Sequence, residues 1–430
     1  MTIRQSSNNG AADGTGGLRG WQLAVLAMGT FALGVDGFVL AGLLPGISAD
    51  LSVSVSTAGQ LTTIFSITYA LGSPVIATLT GRWDRRVLLG GGLVLFLIGM
   101  AGQALATSFA LMAAGRVLAA IGAAAFQSNA YVMAGLLASG ERRGRALAAV
   151  TAGSSLSMVL GVPFGVLVGQ HAGWRVVLWI IAGIAALTAV VVPRLPRAHV
   201  PPTAMRTRLG VLARPAVLAV LVATVAVVAP AFVMISYLPA VLGTSTTGSR
   251  IVIVLLAFGL GNVLGNRLVG GLVDRRGAVP VLLVGVGGAT ASYAALTATQ
   301  SWYAPIVVLV LVAGAFNGLN ITPQQHRLFV VAPDVATVAL GLNGSAIYLG
   351  AALGAALGGA ALDVVGARAL PAAAALLGAA AFALVAATSP ERRAAAGGHH
   401  GTKPAAPQPA APAVSAPTAP TAPTTSGNGP

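Results

Sequence analysis

The chain has 430 residues, of which 56% are hydrophobic and only 8% are charged, and its mean hydropathy is +0.87. Because a soluble domain carries about 25% charged residues, this composition excludes a water-soluble fold and predicts an integral membrane protein. The net charge of +15 does not indicate nucleic-acid binding, since the arginines lie between apolar runs, as the positive-inside rule describes. The absence of cysteine excludes disulfides and thiolate metal sites.

Apolar runs, each of roughly 18–27 residues, are long enough to cross the hydrocarbon core of a bilayer as helices. Six of them precede a basic gap and six follow it, which predicts an all-α membrane protein with twelve transmembrane helices in two six-helix bundles. The first six lie near 21–45, 56–80, 87–107, 110–137, 146–169 and 176–193, and the second six near 215–241, 250–272, 278–298, 303–326, 336–362 and 369–389.

The aqueous segments divide the chain into five parts. Residues 1–20 are polar and contain no cleavable signal, so we expect an N-terminal tail followed by a bundle over 21–193. A basic linker over 194–214 precedes the second bundle, over 215–389. Residues 390–430 are rich in Ala, Pro and Thr and are expected to be disordered. Most of the 24 Lys and Arg residues fall on one side if both termini are cytoplasmic.

Short stretches recur between the two halves. "GSPVIATLTGRWDRR" (72–86) ends the second run and "GNRLVGGLVDRRG" (265–277) ends the eighth, at an offset of 193 residues. Gly161 and Gly354, in the fifth and eleventh runs, repeat this offset. The shared offset indicates duplicated halves of parallel topology, which is a known plan for transporters.

Four stretches in chain order resemble motifs of the major facilitator superfamily. They are "GFVLAGLLPGISADL" (37–51), "GSPVIATLTGRWDRR" (72–86), "GRVLAAIGAAAF" (115–126) and "GSSLSMVLGVPFGVLVG" (153–169). More closely, they resemble the twelve-helix drug:proton antiporter branch, which includes arabinose-efflux-like and chloramphenicol-efflux-like exporters. The resemblance covers roughly residues 20–390.

The resemblance implies a cell-membrane transporter that exports small hydrophobic or amphiphilic compounds, including antibiotics, in exchange for protons by alternating access. A sugar or metabolite exporter or facilitator of the same fold is the alternative. We expect no cofactor and no metal, a small-molecule substrate, the proton and the lipid bilayer as partners, and a monomer. A membrane enzyme is not indicated, because the sequence contains no H-E-x-x-H and no G-x-S-x-G. A sensor is not indicated, because it would need an attached soluble domain and the longest aqueous segments are the linker and the tail.

Asp36 lies near the middle of the first run, whereas the other eight acids lie at helix ends, in loops or in termini. An acid at mid-membrane costs roughly 2.5–3.5 kcal/mol and persists only if it faces a cavity or a partner. Burial disfavours its charged form, so it can take up a proton from one side and release it to the other. The alternative is a hydrogen bond to a neighbouring helix. The resemblance supports proton coupling, although the usual position of the family's acid corresponds to Gly37.

Arg116 lies roughly 9 Å inside the outer end of the fourth run, and Asp36 lies roughly 13 Å from the same surface, at 1.5 Å per residue. The two can therefore meet inside the first half, and the resemblance implicates this arginine in proton coupling. The alternative is an arginine that pins helices together or extends its charge outward.

Glycines at spacings of four or eight residues line the fifth run, and Pro163 permits a bend. In the resembled antiporters this helix packs against its counterpart across the two halves. The residues concerned are Gly153, Gly161, Pro163 and Gly165, and the opposing face would be Gly344, Gly350, Gly354 and Gly358. Close packing of a membrane bundle predicts the same pattern.

The loops that end the second and eighth runs are candidates for cytoplasmic gating. Gly81 stands where the family pattern has an aspartate that helps to latch the halves together, so we expect a latch that is weakened or partly borrowed by Asp84. Topology marking is the alternative role for the arginines. The candidates are Arg82, Asp84, Arg85, Arg86, Asp274 and Arg275.

Polar and aromatic residues within the runs are candidates for a substrate cavity, which needs apolar walls with a few polar groups. Each of them could equally join helices. They are Tyr69, Phe126, Gln127, Asn129, Asn317, Asn320 and Tyr348. With one membrane acid, we expect neutral or weakly charged substrates.

Overall fold

The computed structural model describes residues 20–138, 142–199, 204–243 and 249–388. The two predicted tails, 1–20 and 390–430, lie outside these ranges except for Gly20. Within them, twelve helices are long and apolar enough to cross a membrane. They are α1 (Gly20–Asp50), α2 (Val55–Leu79), α3 (Arg85–Ala104), α4 (Phe109–Leu136), α5 (Arg143–Ala172), α6 (Trp174–Arg194), α7 (Pro215–Ser236), α8 (Arg250–Arg276), α9 (Ala278–Thr299), α10 (Tyr303–Val331), α11 (Pro333–Val365) and α12 (Ala367–Ala387).

Local chemistry determines where several of these helices begin. Ser54 and Ser108 cap α2 and α4, since each side chain accepts a hydrogen bond from the backbone N–H three residues later, at 3.0 Å and 3.3 Å. Gly173 and Gly366, at the repeat offset, form the turns before α6 and α12 with φ of +87° and +80°. A residue without a Cβ adopts this backbone without strain.

We call the side on which α1 begins the basic face, and the other side the opposite face. The basic face carries the loop between α2 and α3 and the linker between the halves. The linker contains a short helix, Met205–Leu212, and enters α7 through Arg214, which forms a bidentate ion pair with Asp334 at the start of α11 (2.7 Å and 2.8 Å). This bond raises the pKa of Arg214.

The glycine face of α5 packs against α1 of the same half. A Cβ atom at Gly161 would overlap the side chain of Val35, and one at Gly165 would lie 2.7 Å from Val39 Cγ2. Pro163 follows a π-helical turn, Ser157–Gly161, which accommodates the missing proline N–H.

The second half repeats this arrangement, because the glycine face of α11 packs against α7. Gly350 abuts Val225 and Val228, and a Cβ atom at Gly354 would overlap the carbonyl oxygen of Ala229. The expectation that the glycine faces of α5 and α11 oppose each other across the halves is therefore wrong. Both α5 and α11 have a single glycine face. In α5 this face is covered by α1, and in α11 it is covered by α7. Gly344 meets nothing within 4 Å of its Cβ position.

The two halves meet through α2 with α11 and through α5 with α8. Gly259 of α8 approaches the backbone of Met158 in α5, where a Cβ atom would lie 2.7 Å from the carbonyl oxygen. Phe38 of α1 and Phe232 of α7 also meet, with ring centroids 6.0 Å apart. In contrast, no residue of α2 from Leu71 to Leu79 is buried. The halves are therefore packed together toward the opposite face and open toward the basic face.

Candidate functional site

Asp36 and Arg116 form an ion pair inside the first bundle. Nη1 of Arg116 donates to Oδ1 of Asp36 at 2.7 Å, and the side chains are 1% and 0% exposed. Asp36 faces inward from α1, while Arg116 reaches it from α4. The structure thus brings together the two residues that sequence reasoning placed at similar depth.

The pairing is incomplete. In the part of the chain that the structure describes, Oδ2 of Asp36 and Nε of Arg116 are buried without a hydrogen-bond partner. A buried polar atom without a partner costs about 1–3 kcal/mol. The arrangement leaves an acceptor oxygen for a proton, a water molecule or a polar group of a ligand.

Aromatic rings connect this pair to the second bundle. The guanidinium carbon of Arg116 lies 4.9 Å from the ring centroid of Phe65, which is within the range of a cation–π contact. Tyr69 of α2 stacks on Tyr348 of α11, with centroids 3.7 Å apart and planes at 23°. Phe65 also meets Tyr348 at 6.4 Å. Two of the predicted cavity residues therefore lie together beside the ion pair and bridge the halves.

Phe65 was not among the residues selected from the sequence. It lies four residues before Tyr69, so the two rings share one face of α2, with centroids 6.4 Å apart. The four-residue spacing from Tyr69 is the sequence signal from which Phe65 could have been predicted as a cavity residue.

Three of the other predicted cavity residues lie on α4, within the first bundle. Phe126 is fully buried against Gly29 of α1, where a Cβ atom would overlap its ring. Asn129 accepts a hydrogen bond from Arg85 at 3.2 Å near the basic face. Gln127 is half-buried on α4.

The two predicted asparagines of α10 lie within the second bundle. Asn317 donates to the hydroxyl of Tyr293 in α9 at 2.8 Å. Asn320 is buried at an interruption of α10, where its side chain lies against Gly285 of α9. Both therefore join α10 to α9.

The loop between α2 and α3 binds the start of the linker. Asp84 caps α3 by accepting from the N–H of Arg86 at 3.0 Å, and it also accepts from the N–H of Ala198 at 3.2 Å. Partial burial raises the pKa of the Asp84 carboxyl, but these two hydrogen bonds and the charge of Arg86 outweigh it, so its pKa lies below the ordinary value.

Among the residues that the structure describes, no hydrogen bond or ion pair of these loops crosses between the halves. The hydrogen-bonded partners of Asp84 lie in its own loop and in the linker, and Arg82, Asp274 and Arg275 are exposed. Arg85 instead donates to the carbonyl oxygen of Gly81 at 2.9 Å. The loops do not bind each other because the two halves are apart at the basic face.

Comparison with known proteins identifies the family. The sequence profile of the Major Facilitator Superfamily matches residues 26–334 and 242–422. "Chloramphenicol resistance protein" of Streptomyces lividans is 33% identical over 346 residues, 77% of this chain and 86% of that protein. "Uncharacterized MFS-type transporter YbcL" of Bacillus subtilis (strain 168) is 31% identical over 353 residues, 80% and 90% of the two chains. "Inner membrane transport protein YdhP" of Escherichia coli (strain K12) is 28% identical over 356 residues, 80% and 89%. With this match and twelve spanning helices in the described ranges, the chain belongs to the Major Facilitator Superfamily.

Proposed function

We propose that the protein is a proton-coupled exporter of small hydrophobic or amphiphilic compounds that works by alternating access. The observation that carries this proposal is the buried Asp36–Arg116 pair, in which one carboxylate oxygen has no partner among the described residues. The relative from Streptomyces lividans, which is described as a resistance protein, supports the export of compounds of this class.

Asp36 is the proposed proton carrier. A carboxyl group enclosed by apolar helices is more easily protonated than an exposed one, whereas the guanidinium of Arg116 favours its charged form. Protonation of Asp36 weakens its attraction to Arg116, and deprotonation restores it. The pair can therefore couple a proton to a rearrangement of α1 and α4. Each charge moved across 100 mV supplies about 2.3 kcal/mol.

The proposed substrate site lies between the halves, at Tyr69 and Tyr348. These rings offer flat apolar surface, and the hydroxyl groups and Oδ2 of Asp36 offer a few polar contacts, which is the usual composition of a ligand pocket. Since Arg116 balances the one acid of this region, the site is suited to neutral or weakly charged molecules.

The distribution of arginine supports an orientation in which the basic face is cytoplasmic. In that orientation the halves, which are open toward the basic face, would take up compounds from the cytoplasm or the inner leaflet. Release then requires the opposite face to open while the basic face closes.

The test is resistance and proton exchange in one strain. The chain is expressed in a drug-sensitive bacterium that lacks its main exporters, and a panel of antibiotics, dyes and sugars is screened for protection. Inverted vesicles with a pH-sensitive dye then show whether an exported compound releases protons from the acidified interior.

Asp36→Asn should abolish both protection and proton release, because an amide cannot carry the proton. Asp363→Asn, which changes an exposed acid near the opposite face, is the matched control and should retain both. Full protection and proton exchange by Asp36→Asn would show that another group carries the proton. Movement of sugars alone would favour the metabolite transporter.

A further inference from the structure

Tyr237, at the end of α7, is inserted into the interface between the halves near the opposite face. It is fully buried and is one of the largest side chains in the described ranges to be so. Its hydroxyl donates to the carbonyl oxygen of Ala355 in α11 at 2.8 Å. This bond lies within the second bundle and joins the end of α7 to α11.

Three glycines surround this ring. In α11, a Cβ atom at Gly358 would lie 2.8 Å from Cε2 of Tyr237, and one at Gly359 would lie 2.7 Å from the hydroxyl oxygen. In α2 of the first bundle, a Cβ atom at Gly59 would overlap both the ring and the hydroxyl. Because the overlap involves a ring confined on several sides, a side chain at Gly59 can be accommodated only if α2 and α7 separate.

The equivalent residue of the first half does not bridge the halves. The stretch "LLP" (43–45) near the end of α1 recurs as "YLP" (237–239) directly after α7, so Leu43 corresponds to Tyr237. Leu43 packs against Gly169 of α5, within its own bundle. The tyrosine side chain is longer and reaches α2 of the first bundle. The contact between the halves is therefore made by Tyr237 and not by its counterpart Leu43.

We propose that Tyr237 and the glycines at positions 59, 358 and 359 form the gate that closes the opposite face. The ring leaves Gly59 whenever the two halves separate at the opposite face. Its return closes the substrate pathway between the Asp36–Arg116 pair and that face. The inference rests on the alternating access proposed above. It adds a specific residue that determines which side of the transporter is closed.

The experiment measures the separation of the halves directly. The chain contains no cysteine, so pairs of introduced cysteines can be labelled with nitroxides without background labelling. Double electron–electron resonance then measures the distance between the two labels. Leu105→Cys with Val364→Cys reports across the halves, since both side chains are exposed near the opposite face (64% and 83%). Trp302→Cys with Val364→Cys lies within the second bundle and reports whether that bundle is intact.

Gly59→Ala and Tyr237→Ala should each add a longer distance across the halves. The conformer with the longer distance should rise from the roughly 0.1–10% typical of a minor conformer to a majority. The distance between the labels within the second bundle should stay unchanged. Gly72→Ala is the matched control on the same helix, because its Cβ would meet Ile76 at an ordinary 3.9 Å. Tyr237→Phe keeps the ring and should remain closed.

The proposal is overturned if Gly59→Ala, with its second bundle intact, shows the same cross-half distances as Gly72→Ala. It is also overturned if Tyr237→Ala leaves the opposite face closed. These comparisons do not depend on transport. If the unaltered chain exports none of the screened compounds, the proposed function fails, while the distances still decide the role of Tyr237.

Discussion

Removing one charge of the Asp36–Arg116 pair should destabilise the protein, whereas removing both should not. Breaking a buried ion pair by changing one partner costs about 3–5 kcal/mol, because the remaining charge is left in a low-dielectric interior. Asp36→Asn leaves the guanidinium of Arg116, 1% exposed, without its carboxylate. Since arginine does not lose its proton in proteins, this variant cannot relieve the cost by becoming neutral.

The double variant Asp36→Leu with Arg116→Met removes both charges and leaves no buried amide in their place. In the unaltered protein, one carboxylate oxygen and Nε of Arg116 already lack partners among the described residues, at about 1–3 kcal/mol for each such atom. Replacement of a buried ion pair by apolar side chains of similar volume is often neutral or stabilising by about 1–4 kcal/mol. We therefore expect the double variant to be at least as stable as the unaltered protein, although it would transport nothing.

Thermal unfolding of the purified protein in detergent measures this difference. For Asp36→Asn, a loss of about 3–5 kcal/mol should lower the melting temperature by about 4–6 °C, because the unfolding entropy of a chain of this size is about 0.8 kcal/mol/K. The double variant should recover that loss, and Asp363→Asn is the control at an exposed acid. If Asp36→Asn melts at the temperature of the unaltered protein, or if the double variant melts no higher than the single one, Asp36 and Arg116 do not form an isolated buried ion pair.

Three further predictions concern packing, substrate contact and pH. Gly161→Ala should destabilise the protein by about 1–3 kcal/mol, because its methyl overlaps Val35, and Gly183→Ala, with open space around its Cβ, should melt unchanged. Tyr348→Ala should weaken binding of an aromatic substrate by about 0.5–1.5 kcal/mol, or roughly two- to tenfold, in a direct binding assay, and an unchanged affinity would exclude ring stacking on the substrate. The carboxylate of Asp84 contributes stability above its ordinary pKa of about 3.9, and this is lost as pH falls through its lower folded pKa. Asp84→Asn, which keeps an acceptor at the cap, should reduce the loss of melting temperature in acid.

The architecture could be predicted from the sequence because the bilayer imposes simple rules on any chain that crosses it. A helix must satisfy its own backbone hydrogen bonds and must be about 20 apolar residues long, so run lengths predicted twelve helices, and the structure confirmed them. The motifs over 37–51, 72–86, 115–126 and 153–169 predicted the superfamily, which the family profile confirmed.

The glycine faces show where sequence reasoning failed. A spacing of four residues shows that Gly161 and Gly165 share a face, but it carries no information on which helix covers that face. Motif resemblance suggested the opposite half, whereas the structure places α1 there. The choice of partner depends on how all twelve helices pack together.

The sequence by itself determined the number of spans, the duplication of the halves and the presence of one acid and one arginine at membrane depth, since these follow from hydropathy, period and rise per residue. Only the tertiary structure decided that Asp36 and Arg116 meet, that Phe65 lies over Arg116 and beside Tyr348, and that Tyr237 crosses to Gly59. These contacts join residues far apart in the chain. They depend on the rotation of each helix about its axis, which apolar sequence scarcely restricts when lipid and protein interior are equally apolar.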